Sequence, residues 1–190
     1  MKNLTKRLAA PLALALATGG LAACSQDPGT PGVTDESGVD GTLADAIGGA
    51  AGMTTVGSAL DDSGLDSVFD GPGAYTIFAP NDAAFEALGD DTKTLTGEDQ
   101  RPILVAILRD HVVPGAVTPE GINQAIKDAG GTVKMRTLGE GSISFSDGPD
   151  GLLITGPDGA KATLAGEAIA ASNGVLVPID GVLASAPATQ

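Results

Sequence analysis

Apolar positions in this chain change period about two thirds of the way along. From Thr42 to Gly131 they recur mostly at offsets of three and four, the spacing of one helix face; after Gly131 they fall in short alternating runs. Thr42 predicts an N-cap for a helix through Leu43, Ala46 and Ile47. Val56, Ala59 and Leu60 form one face of a second helix, with Gly64 in the position that ends it. Gly71-Pro72-Gly73 predicts a turn, and Tyr75 to Ala79 a short strand rich in β-formers. Pro80-Asn81-Asp82 stops that strand and caps a helix through Phe85 and Leu88. Thr96-Gly97-Glu98-Asp99 has capping-box spacing ahead of the stripe Ile103, Leu104, Ile107, Leu108, His111. Thr118-Pro119 opens one more helix and Gly130-Gly131 closes it. Strands are expected at 132–138, 142–146, 152–155, 160–165 and 175–180. Two Gly-Pro-Asp-Gly turns, at 148–151 and 156–159, link neighbours. Helices first and strands later make the class α+β.

Charge narrows the partners. The 190 residues hold 24 acidic and 10 basic side chains, a net −14. The first 23 residues take three of the basic ones (Lys2, Lys6, Arg7) and none of the acids. The remainder therefore sets seven against twenty-four, a formal −17. Such a surface disfavours nucleic acid and anionic bilayers as electrostatic partners. Tyr75 and four Phe are the only aromatic residues, so platforms for stacking bases or sugars are scarce.

The amino-terminal segment has its own logic. A basic start, an Ala/Leu run from Leu8 to Leu16 and small residues before a cut site make the layout of a secretory signal. Leu21-Ala22-Ala23-Cys24 resembles the lipobox of bacterial lipoproteins. The resemblance implies that residues 1–23 are a signal peptide and that the thiol of Cys24, the only cysteine, carries a diacylglyceryl group. Lipid chains would then hold the protein to a membrane without spanning it. Ser25 after Cys24 resembles an outer-membrane sorting pattern. The expected location is the cell membrane or outer membrane, facing the periplasm or the exterior. From Cys24 to Gly41 the chain is rich in Gly, Pro and acids without apolar periodicity, which predicts a flexible tether.

Three blocks in order resemble the fasciclin-type (FAS1) domain. Tyr75-Thr76-Ile77-Phe78-Ala79-Pro80-Asn81-Asp82-Ala83-Ala84-Phe85 is similar to its first signature. Asp110-His111-Val112-Val113-Pro114-Gly115 is similar to its central Tyr-His motif. Ser172 to Leu183, centred on Val175-Leu176-Val177-Pro178-Ile179-Asp180, is similar to its closing signature. The resemblance covers about residues 42–184, with 185–190 as a tail. It implies a β-sandwich or wedge of about seven strands with several helices packed at one end, serving as a secreted or surface-anchored adhesion module. Asp110 stands where the family usually has Tyr, so the family's partner contacts at that tyrosine do not carry over; Val177 stands where His is common, and both departures weaken the case for integrin-like recognition.

Candidate chemistry is sparse. His111 is the sole histidine, and a base needs a nucleophile or acid beside it. No Gly-x-Ser-x-Gly occurs, and one His with no second Cys cannot complete a zinc or copper site. Asp61, Asp62, Asp66 and Asp70 lack EF-hand spacing and read as a solvated acidic face. Asn173-Gly174 reads as a turn and Asp180 as a hydrogen-bonding carboxylate. His111, Val112, Val113, Asn173 and Asp180 are thus the candidate binding or structural residues, with no catalytic residue, metal or cofactor expected. The expected function is a monomeric, non-catalytic module that meets surface or matrix proteins. The alternative is a carrier for a small apolar lipid or pigment, in a groove lined by Val112, Val113, Ile122 and Ile126. An enzyme acting through His111 is a third, weaker class.

Overall fold

The computed structural model describes residues 41–89, 101–149 and 151–184. The leader with Cys24, the tether up to Asp40, the Thr96–Asp99 capping box, Asp150 of the first Gly-Pro-Asp-Gly turn and the 185–190 tail lie outside the described residues. Six helices and eight strands follow: α1 (Leu43–Gly49), α2 (Thr54–Ser63), α3 (Asp66–Phe69), β1 (Tyr75–Pro80), α4 (Asp82–Ala87), α5 (Arg101–Asp110), β2 (Val112–Pro114), α6 (Pro119–Ala129), β3 (Val133–Arg136), β4 (Ser142–Gly148), β5 (Gly151–Thr155), β6 (Lys161–Thr163), β7 (Ile169–Ala171) and β8 (Gly174–Ile179).

The helix ends follow local chemistry. The Thr42 hydroxyl accepts from the Asp45 N–H and the Asp45 carboxylate accepts from the Thr42 N–H, a complete capping box. Asn81 Oδ1 accepts from Ala84 N–H at 2.8 Å to open α4. Thr118 caps α6, with Pro119 in its first turn. Gly64 and Gly130 end α2 and α6 in the left-handed conformation, at φ 71° and 69°. The short α3, β2 and β7 are additions to the expected elements. They bring the strands to eight, and each is too short, at three or four residues, to display a period of its own.

The strands form two four-stranded sheets, ordered β2-β1-β8-β7 and β3-β4-β5-β6. In the first, β1 and β8 lie parallel at the centre and the outer strands run antiparallel to them. The second is an antiparallel meander. Side-chain alternation then fixes the layers. Ile77 and Ala79 on β1, Val112 on β2 and Leu176 on β8 pack into a cluster with Leu43, Val56, Leu60, Phe69 and Leu108 from the helices. The alternate residues Phe78, Val113, Val175, Val177 and Ile179 face the other way, onto Ile143, Phe145 and Ile154 of the second sheet. Phe78 and Phe145 meet across that gap with ring centroids 5.3 Å apart. The order is helices, first sheet, second sheet. Covering on both faces explains why β1 and β8 read as nearly unbroken apolar runs. β4 is covered on one face only and alternates Ser142-Ile143-Ser144-Phe145-Ser146. α6 closes the inter-sheet core with Ile122 and Ile126.

The sheets are also joined at two corners. Leu138 N–H donates to Val112 O at 2.8 Å, tying the end of β3 to β2. On the other side Leu164 bridges to Ile179, and Asp180 N–H donates to Thr163 O at 3.1 Å. The edge of β8 is thus shared: β7 takes its first half and the chain after β6 its second.

Candidate functional site

The central motif sits where α5 gives way to β2. Leu104, Ile107 and Leu108 bury the apolar stripe of α5, and His111, one residue past the helix, follows them inward with 2% of its surface exposed. Its Nδ1 lies 2.8 Å from Ile107 O, and the Leu183 N–H donates to Nε2 at 2.8 Å. Accepting from an amide requires a bare Nε2, so the ring is neutral with its proton on Nδ1, donated to Ile107 O. Burial pushes its pKa down, and the Ile107 carbonyl and the carboxylates of Asp110 and Asp158 pull the other way without overcoming it. With both nitrogens engaged, the imidazole has no free lone pair for a substrate proton or a metal. The His111 carbonyl meanwhile accepts from Phe78 N–H at 2.9 Å. One residue therefore binds α5, β1 and the closing segment together.

Asp110 points to the β3–β4 connection. Its Oδ1 accepts from the Thr137 hydroxyl at 2.9 Å, and a methyl group added at Gly139 would fall 2.2 Å from that oxygen. Gly141 is held as closely, against Pro157. The carboxylate in the tyrosine position thus fastens a glycine-lined loop that leaves no room for a ring.

Asn173 and Asp180 are staples of the same kind. Asn173 Oδ1 accepts from Leu43 N–H at 2.8 Å, while Nδ2 donates to Phe69 O and, at 2.9 Å, to Gly71 O. The amide joins the start of α1 and the end of α3 to the β7–β8 hairpin. The corner residues of that hairpin are Ser172 and Asn173, since Ala171 pairs with Gly174. Gly174 is required by contact: a Cβ there would meet Tyr75 O at 2.0 Å. Asp180 receives the Thr163 N–H and hydroxyl, each at 2.6 Å, at the β8–β6 corner.

One polar residue acts beyond the role its sequence position suggests. Asp82 follows the cap of α4, yet its carboxylate accepts from Thr55 N–H at 2.8 Å and Thr54 N–H at 3.3 Å. It caps α2, whose own N-cap position, Met53, offers no side-chain acceptor. The Thr55 amide in particular holds the Asp82 carboxyl below its usual value of 3.8. The signal in the sequence was an α2 without a capping side chain of its own.

Val112 and Val113 are 1% and 3% exposed and point to opposite sides of the first sheet. Ile122 and Ile126 share the inter-sheet core with Val113. The four side chains expected to line a groove are therefore packed core. Open depressions lie elsewhere. One of about 320 Å³ is bordered by Met53, Asn81, Asp82, Ile169 and Pro178. Another of about 370 Å³ lies by Lys127, Gly130, Ser146 and Asp147. Among the described residues no three His, Cys, Asp or Glu are grouped to hold a metal, and no helix is long and apolar enough to cross a membrane.

Comparison with known proteins agrees with this architecture. The fasciclin-domain profile matches residues 51–185, and the chain belongs to the fasciclin family. It is similar to protein sll1483 of Synechocystis, with 27% identity over 75% of this chain and 72% of that one. It is 25% identical to human stabilin-1 over 82% of this chain, and 28% identical to the porcine transforming growth factor-beta-induced protein ig-h3 over 68% of it. The chain spans 6% of the length of stabilin-1 and 17% of that of ig-h3. Among solved structures, a FAS1 domain pair from the insect cell adhesion molecule Fasciclin I superposes with a TM-score of 0.67. The identity is 17%, over 76% of this chain and 51% of that one.

Proposed function

We propose that this protein is a non-catalytic binding module, anchored by lipid on Cys24 to the outer side of a membrane, which associates with surface or matrix proteins in adhesion. The observation that carries the reading is the engagement of the motif residues. His111, Asn173 and Asp180 are committed to hydrogen bonds within the fold, so recognition falls to exposed faces and loops. The Leu21–Cys24 pattern supports the anchor, and the acidic Gly/Pro-rich stretch after it suits a spacer. The cell adhesion molecule among the structural neighbours supports adhesion.

Crosslinking on intact cells, followed by recovery of the full chain, tests the partner. A reproducible surface or matrix protein is expected; recovery of the chain alone in every growth condition would overturn the reading. Labelling with an alkyne fatty acid tests the anchor: the label should appear on the native chain and vanish with Cys24→Ser.

A further inference from the structure

On the outer face of the second sheet only Thr163, held by Asp180, belongs to the fold's staples. The even positions of β3 and β4 and the odd positions of β5 and β6 point away from the core, because Ile143, Phe145, Ile154 and Ala162 between them are the buried ones. Register aligns one row across all four strands: Lys134 opposite Ser144, Ser144 opposite Thr155, Thr155 opposite Lys161. In the next row Arg136 stands opposite Ser142. Lys134, Arg136 and Lys161 are exposed, and among the described residues none is held in an ion pair. No outward position of the four strands is Asp or Glu. Acids lie at the rim: Asp147 is the last but one residue of β4, Glu140 sits in the β3–β4 connection, Asp158 in the β5–β6 turn accepts from Ala160 N–H at 3.0 Å, and the Asp180 carboxylate is taken up by Thr163. Of the seven cations beyond residue 23, three lie on this one face, in a chain with 24 acids.

Protection of sheet edges accounts for part of this, since Lys134 and Arg136 lie on one edge strand and Lys161 on the other. Edge protection favours lysine in particular, so it accounts for the charge of the two edge strands but not for the absence of acids from the outward positions of all four strands in so acidic a chain. Nor does it account for the hydroxyls between the lysines.

We infer that this face binds an extended polysaccharide bearing carboxylates, laid across the strands along the Lys134–Lys161 row. The inference rests on reading the chain as a surface-exposed binding module. Strand spacing puts the two lysine positions about 14 Å apart, with Arg136 about 7 Å along the strand from Lys134. The cations take carboxylates, and the Ser144 and Thr155 hydroxyls exchange hydrogen bonds with sugar hydroxyls. A slender polymer touches this face alone. A bilayer or a nucleic acid duplex would meet the repulsion of the acidic remainder over a wider area. With no aromatic ring on the face, attraction is ionic and falls with salt.

Binding of the full chain to immobilised polygalacturonate tests this, at low and high salt, with neutral dextran and phosphatidylglycerol-containing vesicles alongside. Salt-sensitive binding to polygalacturonate but not to dextran is expected. Lys134→Gln/Arg136→Gln/Lys161→Gln should weaken it by about tenfold or more, and Arg101→Gln/Arg109→Gln/Lys127→Gln, an equal charge change elsewhere, by less than about twofold. Ser144→Asp keeps both edge lysines but sets a carboxylate between them. It should remove binding, and it stays informative if the triple variant aggregates. No binding, equal losses from the two triples, an unaffected Ser144→Asp or a preference for vesicles would overturn the inference. A protein partner recovered from cells without polygalacturonate binding sinks this inference alone; polygalacturonate binding without a protein partner sinks only the earlier partner assignment.

Discussion

At His111 the two ring nitrogens face opposite demands: one must donate to Ile107 O and the other must accept from Leu183 N–H. Protonating the ring would set two N–H groups against each other in a dry interior. Burial, which disfavours the charged ring, holds its pKa below the ordinary 6.5. The sign follows: as pH falls below about 6.5 the unfolded chain takes up a proton that the folded chain refuses, so stability drops until the folded pKa is reached. Thermal unfolding should be level between about pH 8 and pH 7 and decline as pH falls from about 6.5. Since this is the only histidine, His111→Gln should flatten that decline. His111→Ala orphans a buried donor and a buried acceptor and should cost about 2–4 kcal/mol in urea unfolding. The same loss without any change in surface binding would agree with a purely structural role. The sequence showed that His111 belongs to an apolar stripe. It could not show the partner at Leu183, which lies 72 positions away.

Elements were legible in proportion to how local their instructions are. Thr42, Asn81, Thr118, Gly64 and Gly130 act within a turn of their own helix, and the caps they predict are present. The Gly156–Gly159 turn closes with Gly159 N–H donating to Gly156 O at 3.1 Å, as its composition requires. β2 and β7 depend on neighbours: each is a three-residue strand that exists because a central strand offers it an edge. Two predictions belong at this scale. Asp82→Ala removes the cap of α2 from another element and should cost about 1 kcal/mol by urea denaturation, with Asp82→Asn retaining most of the acceptor. The Asp82 contribution should persist above pH 3.8 and fade below it, whereas the histidine contribution begins to fall already below about pH 6.5. Gly156→Ala would put a methyl carbon 1.7 Å from Leu183 O, on backbone that cannot step aside. A loss of about 3 kcal/mol, or failure to fold, is expected there, against no comparable effect at open Gly131.

For the molecule as a whole, stability is set against self-repulsion. The segment beyond residue 23 has seven cations for twenty-four acids, so added salt should raise the melting temperature by screening like charges. A melting temperature that falls with moderate sodium chloride would place the dominant electrostatics in attractive pairs instead. The family resemblance implied two packed layers of strands with helices at one end, and the structure has two sheets with helices; that the helices cover the first sheet's outer side was not read from the sequence. Nor was the pairing of the Tyr75–Pro80 and Gly174–Ile179 runs with each other, because a parallel partner leaves no turn signal between the strands.

That parallel pair also sets a timetable. Tyr75 finds its partner Gly174 about a hundred residues later, so a ribosome must deliver nearly the whole domain before the middle of the molecule can zip. Until then the two central strands have no partner for each other, and neither core layer that rests on them can close.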